Sequence, residues 1–253
     1  MKNVFLETEN VRQFQTALAV LEDVERGQPG LGVVWGRAGR GKTVCAREYA
    51  IRTDAVYLRV LEDWSPRAML ADLCRKLMGT EPRTVERCKL AACEALDQRT
   101  RTILVDEADR LNIGQIEHFR DIHDLCGAPI VLIGEEHLFA QLSCRSRLWD
   151  RVTQRVEFGP VSSEDIMLFG MKAADLRIQA AAAKVLAARS GGTFRKVWVD
   201  VHHLEQMARA NQTQDVDAKM AEALPQWRVP SGARRLNRAG KTNGNGSKGG
   251  AHG

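Results

Sequence analysis

The 253-residue chain contains no run of eighteen or more apolar residues, and a helix that crosses a bilayer needs about that many. Its first fifteen residues, MKNVFLETENVRQFQ, hold neither the apolar core nor the small-residue cleavage site of a secretory signal. These absences argue against an exported or membrane-spanning chain. We therefore expect a soluble globular protein that stays in the cytoplasm and has no membrane partner.

The six cysteines form no CxxC pair, the spacing found in many zinc and redox sites. Several of them fall on the apolar stripes of predicted helices, so reduced and buried thiols are expected rather than disulfides. His118, His123 and Cys126 lie close together in HFRDIHDLC, but the offset of five residues puts the two histidines on different faces of a helix. We predict no metal site in that segment.

Acidic residues are missing from residues 226–253, which carry six basic side chains. The whole chain has a formal net charge of +5, so residues 1–225 have a net charge of −1. The basic character therefore belongs to residues 226–253, here called the tail. The tail is rich in Gly, Asn and Lys and has almost nothing to bury, so we expect it to be disordered. It could hold nucleic acid electrostatically or only aid solubility.

The most informative segment is GRAGRGKT, residues 36–43, which lies between the apolar run LGVVW and a predicted helix. This GxxxxGK[ST] pattern indicates a loop whose glycines let the backbone wrap around phosphates. Lys42 would reach the β and γ phosphates, and the hydroxyl of Thr43 would ligate Mg²⁺. The predicted nucleotide-binding residues of this segment are Gly36, Arg37, Ala38, Gly39, Arg40, Gly41, Lys42, Thr43 and Val44.

The segment ILVDE provides the second half of a nucleotide site. Its apolar residues predict a buried strand that delivers Asp106 to the Mg²⁺ coordination sphere, through water. Glu107, directly after it, would act on the attacking water. A glutamate beside a metal-binding aspartate favours hydrolysis over phosphoryl transfer to a second substrate, because it can polarise water.

The order of predicted elements indicates an α/β fold. Strands at LGVVW, AVYLRVL, ILV, PIVLIG and near QRVEF alternate with helices, which is typical of a parallel sheet covered on both faces. After Pro160 the sequence predicts three helices with no strand between them. We expect a nucleotide-binding core with an N-terminal helix over residues 1–160, a helical lid over 161–225 and the basic tail over 226–253.

Arginines in two segments could complete the site. CRSRLWDRV places Arg145, Arg147 and Arg151 just before the last core strand, where one could reach the γ-phosphate of a neighbouring subunit. SGGTFRKV places Arg195 at the start of a lid helix, where it could fold back on the nucleotide of its own subunit. The alternative for each is a surface arginine that pairs with a local acid such as Asp150.

With these motifs in this order the sequence resembles the AAA+ ATPases. More narrowly it resembles the DNA transposition ATPases typified by the Mu-phage B protein and by TnsC-type regulators, with ExeA-type secretion ATPases as close relatives. The resemblance covers residues 5–205, and the combination of the two nucleotide motifs with LIGEEHL and SRLWDRV favours this branch. It implies a P-loop AAA+ core followed by a small helical lid.

The resemblance also implies roles for individual residues. Residues 36–43 would be Walker A, Asp106 and Glu107 Walker B, and Arg195 sensor 2. The strand PIVLIG departs from the family because Gly134 and Glu135 stand where a polar sensor 1 residue is usual. An arginine finger would come from Arg147 or Arg151, so that the implied catalytic set is Lys42, Glu107, Arg147, Arg151 and Arg195.

The implied function is ATP-dependent assembly on DNA in the cytoplasm of a bacterium, either a host cell or a phage-infected one. An ATP- and Mg²⁺-loaded homo-oligomer, a ring or a filament, would form on double-stranded DNA with little regard to sequence and would recruit or activate a transposase. The DNA-facing elements of this branch commonly follow the second strand. In this chain that region holds six basic residues that could equally be ordinary solvated side chains: Arg67, Arg75, Lys76, Arg83, Arg87 and Lys89.

Three other functions fit the motifs less well. An ExeA-type assembly ATPase would be expected to carry a transmembrane or peptidoglycan-binding segment after residue 205. A helicase loader would need a longer N-terminal extension than MKNVFLETEN. A nucleotide-gated binding module with negligible turnover stays open because of the atypical sensor 1 segment.

Overall fold

Five parallel strands form the sheet that carries the candidate site. The computed structural model describes residues 1–23 and 30–227, and its sheet contains β1 (Leu31–Trp35), β2 (Val56–Arg59), β3 (Ile103–Asp106), β4 (Ile130–Ile133) and β5 (Val152–Glu157). The strands are hydrogen-bonded in the order β2-β3-β4-β1-β5, and every pair is parallel. The predicted parallel sheet is confirmed, although β2 is shorter than the predicted strand over residues 55–61.

Helices bury both faces of the sheet. On one face lie α1 (Glu9–Glu22) and α2 (Lys42–Thr53), and on the other lie α3 (Pro66–Met78), α4 (Val85–Gln98) and α5 (Ile113–Cys126). Along β3, Ile103 and Val105 pack in the cluster with α3 to α5, whereas Leu104 packs in the cluster with α1 and α2. This alternation explains why the core strands read as continuous apolar runs.

Local capping signals set several helix starts. Ser65 accepts a hydrogen bond from the backbone of Ala68 at 3.1 Å, with Pro66 in the first turn. Asn112 and Gln115 form a reciprocal capping box at the start of α5. The sequence predicts that the N-terminal helix stops at Gly27, with Pro29 just beyond, and both residues lie outside the described part of the chain.

The lid consists of α8 (Ser163–Ala174), α9 (Ala180–Ser190), α10 (Phe194–Ala210) and α11 (Ala218–Glu222), which share one buried apolar cluster. The expectation that no strand interrupts these helices is wrong. Strands β6 (Arg177–Ile178) and β7 (Asp215–Val216) form a parallel pair. Ile178 and Val216 face the lid cluster, while Arg177 and Asp215 form an exposed ion pair at 2.7 Å. Strands of two residues are too short to show an alternating pattern.

The core also contains short elements that the sequence pattern did not predict. They are a 3₁₀ turn (Ala108–Arg110) after β3, and α6 (Glu136–Ser143) and α7 (Ser146–Trp149) between β4 and β5. Among the described residues, none of the helices combines the length and apolar composition needed to cross a bilayer. The basic tail from residue 228 onward lies outside the part of the chain that the structure describes.

One histidine, His123, joins the segments before two strands through hydrogen bonds, and the cysteines are free thiols. The Nε2 atom of His123 accepts a hydrogen bond from the backbone of Gly30 at 3.2 Å, and its Nδ1 lies 2.8 Å from the carbonyl oxygen of Ala128, to which it donates. His123 thereby ties together the segments that enter β1 and β4. All six cysteines are free thiols, but the expectation of burial fails for Cys144, which is exposed.

Candidate functional site

The phosphate-loop segment joins the end of β1 to the start of α2 at the carboxyl edge of the sheet. Gly36, Gly39 and Gly41 have φ values of 147°, 79° and 98°, a region that side chains disfavour. A Cβ atom on Gly36 would lie 2.5 Å from the carbonyl oxygen of Phe158, and one on Gly39 would lie 2.4 Å from Cγ2 of Thr193. The glycines therefore let both the segment after β5 and the lid approach the loop closely.

Lys42 is the buried charge of the loop. Its Nζ donates to the carbonyl oxygens of Gly36 at 2.5 Å and Arg37 at 3.1 Å, and the residue is only 9% exposed. Burial lowers the pKa of Lys42, and the nearby carboxylates, Glu135 first and then Asp106, partly offset this by raising it. The ammonium group can exchange its two carbonyl acceptors for phosphate oxygens.

Asp106 ends β3 as a buried carboxylate with two donors. Its Oδ2 accepts a 2.6 Å hydrogen bond from the hydroxyl of Tyr57, and its Oδ1 accepts one from the backbone of Glu107 at 3.0 Å. Burial and then the hydrogen bond to Asp106 raise the pKa of Tyr57, so the phenol remains a donor at neutral pH. The sequence did not point to Tyr57.

Glu107 stands between two arginines. Its carboxylate lies 3.5 Å from Nη2 of Arg59, at the end of β2, and 3.4 Å from Nη2 of Arg110, in the 3₁₀ turn. The backbone of Glu107 is left-handed, with φ of 59°, which turns the chain sharply after the strand. Neither arginine was among the predicted site residues.

Asp109 fills the space beside Gly134, the position at which the resemblance implies a polar residue. Its Oδ1 accepts a hydrogen bond from the backbone of Glu135 at 3.0 Å, and a Cβ atom added to Gly134 would lie 2.4 Å from that same oxygen. The carboxylate at the end of β4 therefore comes from the neighbouring β3 turn. The sequence did not point to Asp109, because it lies far from Gly134 along the chain.

The lid closes over the loop. The backbone N–H of Phe194 donates to the carbonyl oxygen of Gly39 at 2.8 Å, which sets the first turn of α10 against the phosphate loop. A cleft of about 700 Å³ lies between them. It brings together the predicted residues Ala38, Gly39, Gly41, Lys42, Thr43, Val44, Asp106, Glu107 and Arg195.

An apolar pocket of about 220 Å³ adjoins this cleft. It is lined by the N-terminal segment, including Val4 and Phe5, by Phe158 after β5, and by Phe194 and Trp198 of the lid. Gly41, Val44, Phe194 and Trp198 line both spaces. The sequence pattern gave no hint of the N-terminal wall, because its residues follow no helical or strand period.

Comparisons with known proteins agree with this geometry. Residues 25–142 match the family model described as an AAA domain. The chain is 25% identical over 171 residues to the "ATP-dependent target DNA activator B" of Escherichia phage D108 and to the protein of the same name from Escherichia phage Mu. Both alignments cover 64% of this chain and 54% of the relative, so the chain spans about half the length of the curated relatives it matches.

Solved structures show the same fold. The ORC2 protein of Aeropyrum pernix superposes with a TM-score of 0.64 at 14% identity, covering 87% of this chain and 69% of that one. The RuvB Holliday junction branch migration motor of Thermotoga maritima superposes with a TM-score of 0.55 at 20% identity, covering 86% and 68%. The chain has the fold of the P-loop AAA+ proteins.

The candidate finger arginines, Arg145, Arg147 and Arg151, do not line the cleft of their own subunit. Arg151 forms an ion pair with Asp124 at 3.0 Å, from α5, and not with Asp150. Arg147 is exposed on α7, and its side chain has no hydrogen bond or ion pair within the described residues. Arg145 is exposed at the start of the same helix.

The six basic candidates for DNA contact fall into two groups, according to whether an acidic side chain pairs with them. Arg75, Lys76 and Lys89 pair with acids: Arg75 with Asp72 at 2.6 Å, and Lys89 with Asp121 at 2.5 Å. Lys76 lies 3.9 Å from Asp72 as well.

Arg67, Arg83 and Arg87 have no acidic partner among the described residues. The Nε of Arg67 donates to the carbonyl oxygen of Arg83 at 3.0 Å, which joins the start of α3 to the turn before α4, where Arg87 lies in the first helical turn. The exposed positive charge after β2 is therefore concentrated at Arg67, Arg83 and Arg87, named here the α3–α4 basic cluster.

Proposed function

We propose that this protein is an ATP-dependent, DNA-binding AAA+ ATPase that assembles on double-stranded DNA and there selects the target for, or activates, a transposase. One observation carries the proposal. Lys42, Asp106, Glu107 and Arg195 converge on one cleft in a chain similar to proteins named ATP-dependent target DNA activators. The activity, the DNA and the transposase are attributed to this chain on that basis.

The cleft and the apolar pocket fit the two ends of ATP. Lys42 and the backbone N–H groups at the start of α2 would hold the phosphates. The apolar pocket next to Gly41 is suited to the base, because its lining includes Phe158, Phe194 and Trp198. ATP would therefore span the junction of core and lid, and its binding would hold the two together.

The donors near the phosphates fit Mg²⁺. The hydroxyl of Thr43 is a hard oxygen ligand, the carboxylate of Asp106 can bind Mg²⁺ through water, and both residues line the cleft. Each oxygen of Asp106 accepts one hydrogen bond within the protein and keeps a lone pair for a metal-bound water. When bound, Mg²⁺ would neutralise charge on the β and γ phosphates.

Glu107 is the proposed general base. A water molecule would attack the γ-phosphorus, the bond to the β–γ bridging oxygen would break, and the proton of the water would pass to the Glu107 carboxylate. Arg59 and Arg110 hold that carboxylate beside the cleft. Arg195, at the start of α10, would stabilise the negative charge on the transferred phosphoryl group.

Assembly would complete the site. Arg147 is exposed and without a side-chain partner in the described part of the chain, so it is the stronger finger candidate, whereas Arg151 would have to leave Asp124. An arginine supplied by a neighbour makes hydrolysis depend on oligomerisation. The α3–α4 basic cluster would contact the phosphate backbone of DNA, which explains binding with little regard to sequence.

ATP hydrolysis, measured with and without double-stranded DNA, tests this function. Lys42→Met should abolish ATP binding, while Glu107→Gln should keep binding and lose turnover. Lys172→Met removes an exposed lysine of α8 and serves as the control that should match the parent. A parent protein that neither binds nor hydrolyses ATP, with or without DNA, would contradict the proposal.

A further inference from the structure

Two arginines of the phosphate loop have different surroundings. The Nη1 atom of Arg40 donates a 2.7 Å hydrogen bond to the carbonyl oxygen of Phe158, and the residue is half-buried. Arg37, three residues earlier, is exposed, and its side chain has no hydrogen bond or ion pair within residues 1–23 and 30–227. Arg40 lines the apolar pocket but not the cleft that holds Lys42. Its guanidinium group is therefore directed to the protein and not to the phosphates.

The acceptor of Arg40 begins the segment that joins core to lid, residues 158–161, here called the connector. The backbone N–H of Phe158 donates to the carbonyl oxygen of Trp35 at 2.8 Å, which continues the pairing of β1 with β5. The side-chain amide of Asn10 both accepts from Gly159 at 2.9 Å and donates to it at 3.1 Å. The connector is thus fixed to β1, to α1 and, through Arg40, to the phosphate loop.

The connector is also joined to the lid. The backbone of Val161 donates to the carbonyl oxygen of Gly192 at 3.2 Å, just before α10. Two residues after Gly192, the backbone N–H of Phe194 donates to the carbonyl oxygen of Gly39 in the phosphate loop at 2.8 Å. Loop, connector and lid therefore form a closed circuit of hydrogen bonds, in which Arg40 provides a side-chain link from the loop to the connector.

We propose that Arg40 is a positioning residue that sets the lid, and with it Arg195 and the apolar pocket, in the orientation that ATP requires. The proposal rests on the proposed nucleotide site. A loop that shifts when it takes up phosphates moves the guanidinium group of Arg40, which in turn moves the carbonyl group of Phe158 and the connector. The hydrogen bond is charge-assisted and geometrically specific, so it transmits the position of the loop better than an apolar contact.

The test compares Arg40→Met with Lys172→Met, because each removes one positive charge and Lys172, exposed on α8, lines neither the cleft nor the apolar pocket. We expect Arg40→Met to bind ATP about tenfold more weakly, to hydrolyse it more slowly, and to show faster amide hydrogen exchange at residues 158–161 and at the start of α10 when ATP is present. Lys172→Met should match the parent in all three. Arg40→Lys, which keeps a donor, should recover part of the loss.

Asn10→Ala provides a second route to the same conclusion, since it frees the connector from α1 and leaves the phosphate loop unchanged. It should accelerate exchange in the connector and weaken ATP binding in the same direction. If the parent binds ATP, and Arg40→Met and Lys172→Met have the same ATP affinity and the same hydrogen exchange, only the role of Arg40 is overturned. A parent that fails to bind ATP would instead remove the nucleotide function and this role together.

Discussion

The hydroxyl of Tyr57 donates a 2.6 Å hydrogen bond to Oδ2 of Asp106, from the strand next to the one that Asp106 ends. Because Asp106 is almost fully buried, this donor fixes the orientation of its carboxylate at the edge of the cleft. A residue on β2 therefore supports the carboxylate on β3 that is proposed to bind Mg²⁺ through water.

Replacing Tyr57 by Phe should weaken the metal site. Loss of an outer-shell hydrogen bond at a metal site typically costs about ten- to a hundredfold in metal affinity, so the Mg²⁺ concentration for half-maximal ATPase activity should rise about tenfold. Tyr49→Phe is the control, since Tyr49 loses a 2.8 Å hydrogen bond to Glu22 away from the cleft. Identical Mg²⁺ titrations for the two variants would remove Tyr57 from the site.

Gly134→Ala should impair turnover more than binding. The added Cβ atom would lie 2.4 Å from Oδ1 of Asp109, so that carboxylate must move and give up its bond to the backbone of Glu135. We expect kcat to fall at least several-fold with ATP affinity close to that of the parent. Gly114→Ala, in the first turn of α5, is the control because its new Cβ atom meets its nearest neighbour at 3.3 Å. An unchanged kcat in Gly134→Ala would show that the position of Asp109 does not matter for hydrolysis.

Mixing two inactive variants tests whether the site is completed by a neighbour. Arg147→Ala and Glu107→Gln should each hydrolyse ATP poorly alone. In a mixture, a protomer with intact Glu107 can receive Arg147 from a Glu107→Gln neighbour, so activity should reappear and peak near equal amounts. Arg151→Ala mixed with Glu107→Gln provides the comparison, since Arg151 is paired with Asp124. Recovery with Arg151→Ala and none with Arg147→Ala would reassign the finger.

The α3–α4 basic cluster should dominate the salt dependence of DNA binding. Removing two phosphate contacts with Arg83→Met and Arg87→Met should weaken binding and lower the slope of log K against log salt by about two. The matched control, Arg75→Met with Lys76→Met, also removes two charges, but from side chains paired with Asp72. Equal effects of the two double variants would argue against the cluster as the DNA contact.

Much of the fold could be predicted because its signals are local. The buried strands are apolar runs, and Ser65 and Asn112 begin helices by accepting hydrogen bonds from the next turn. Strands β6 and β7 have two residues each, so no alternating pattern could reveal them.

The sequence predicts the site residues that stand in contiguous motifs, but not those that meet only through the pairing of strands. Lys42 and Asp106 stand in contiguous motifs, whereas Arg59 reaches Glu107 because it is paired in register with Asp106 across β2 and β3. Asp109 reaches Gly134 only because β3 and β4 are neighbours in the sheet. With the strand order β2-β3-β4 assumed, the contacts of Arg59 with Glu107 and of Asp109 with Gly134 could have been predicted.

The most direct test of the account is the binding of the Glu107→Gln protein to double-stranded DNA with ATP, with ADP and without nucleotide, with the assemblies examined by electron microscopy. We predict tight binding and ordered rings or filaments with ATP, which persist because the variant does not hydrolyse it, and weak binding without assembly in the other two conditions. DNA affinity and particle shape that are the same in all three conditions would contradict the claim that ATP controls assembly on DNA.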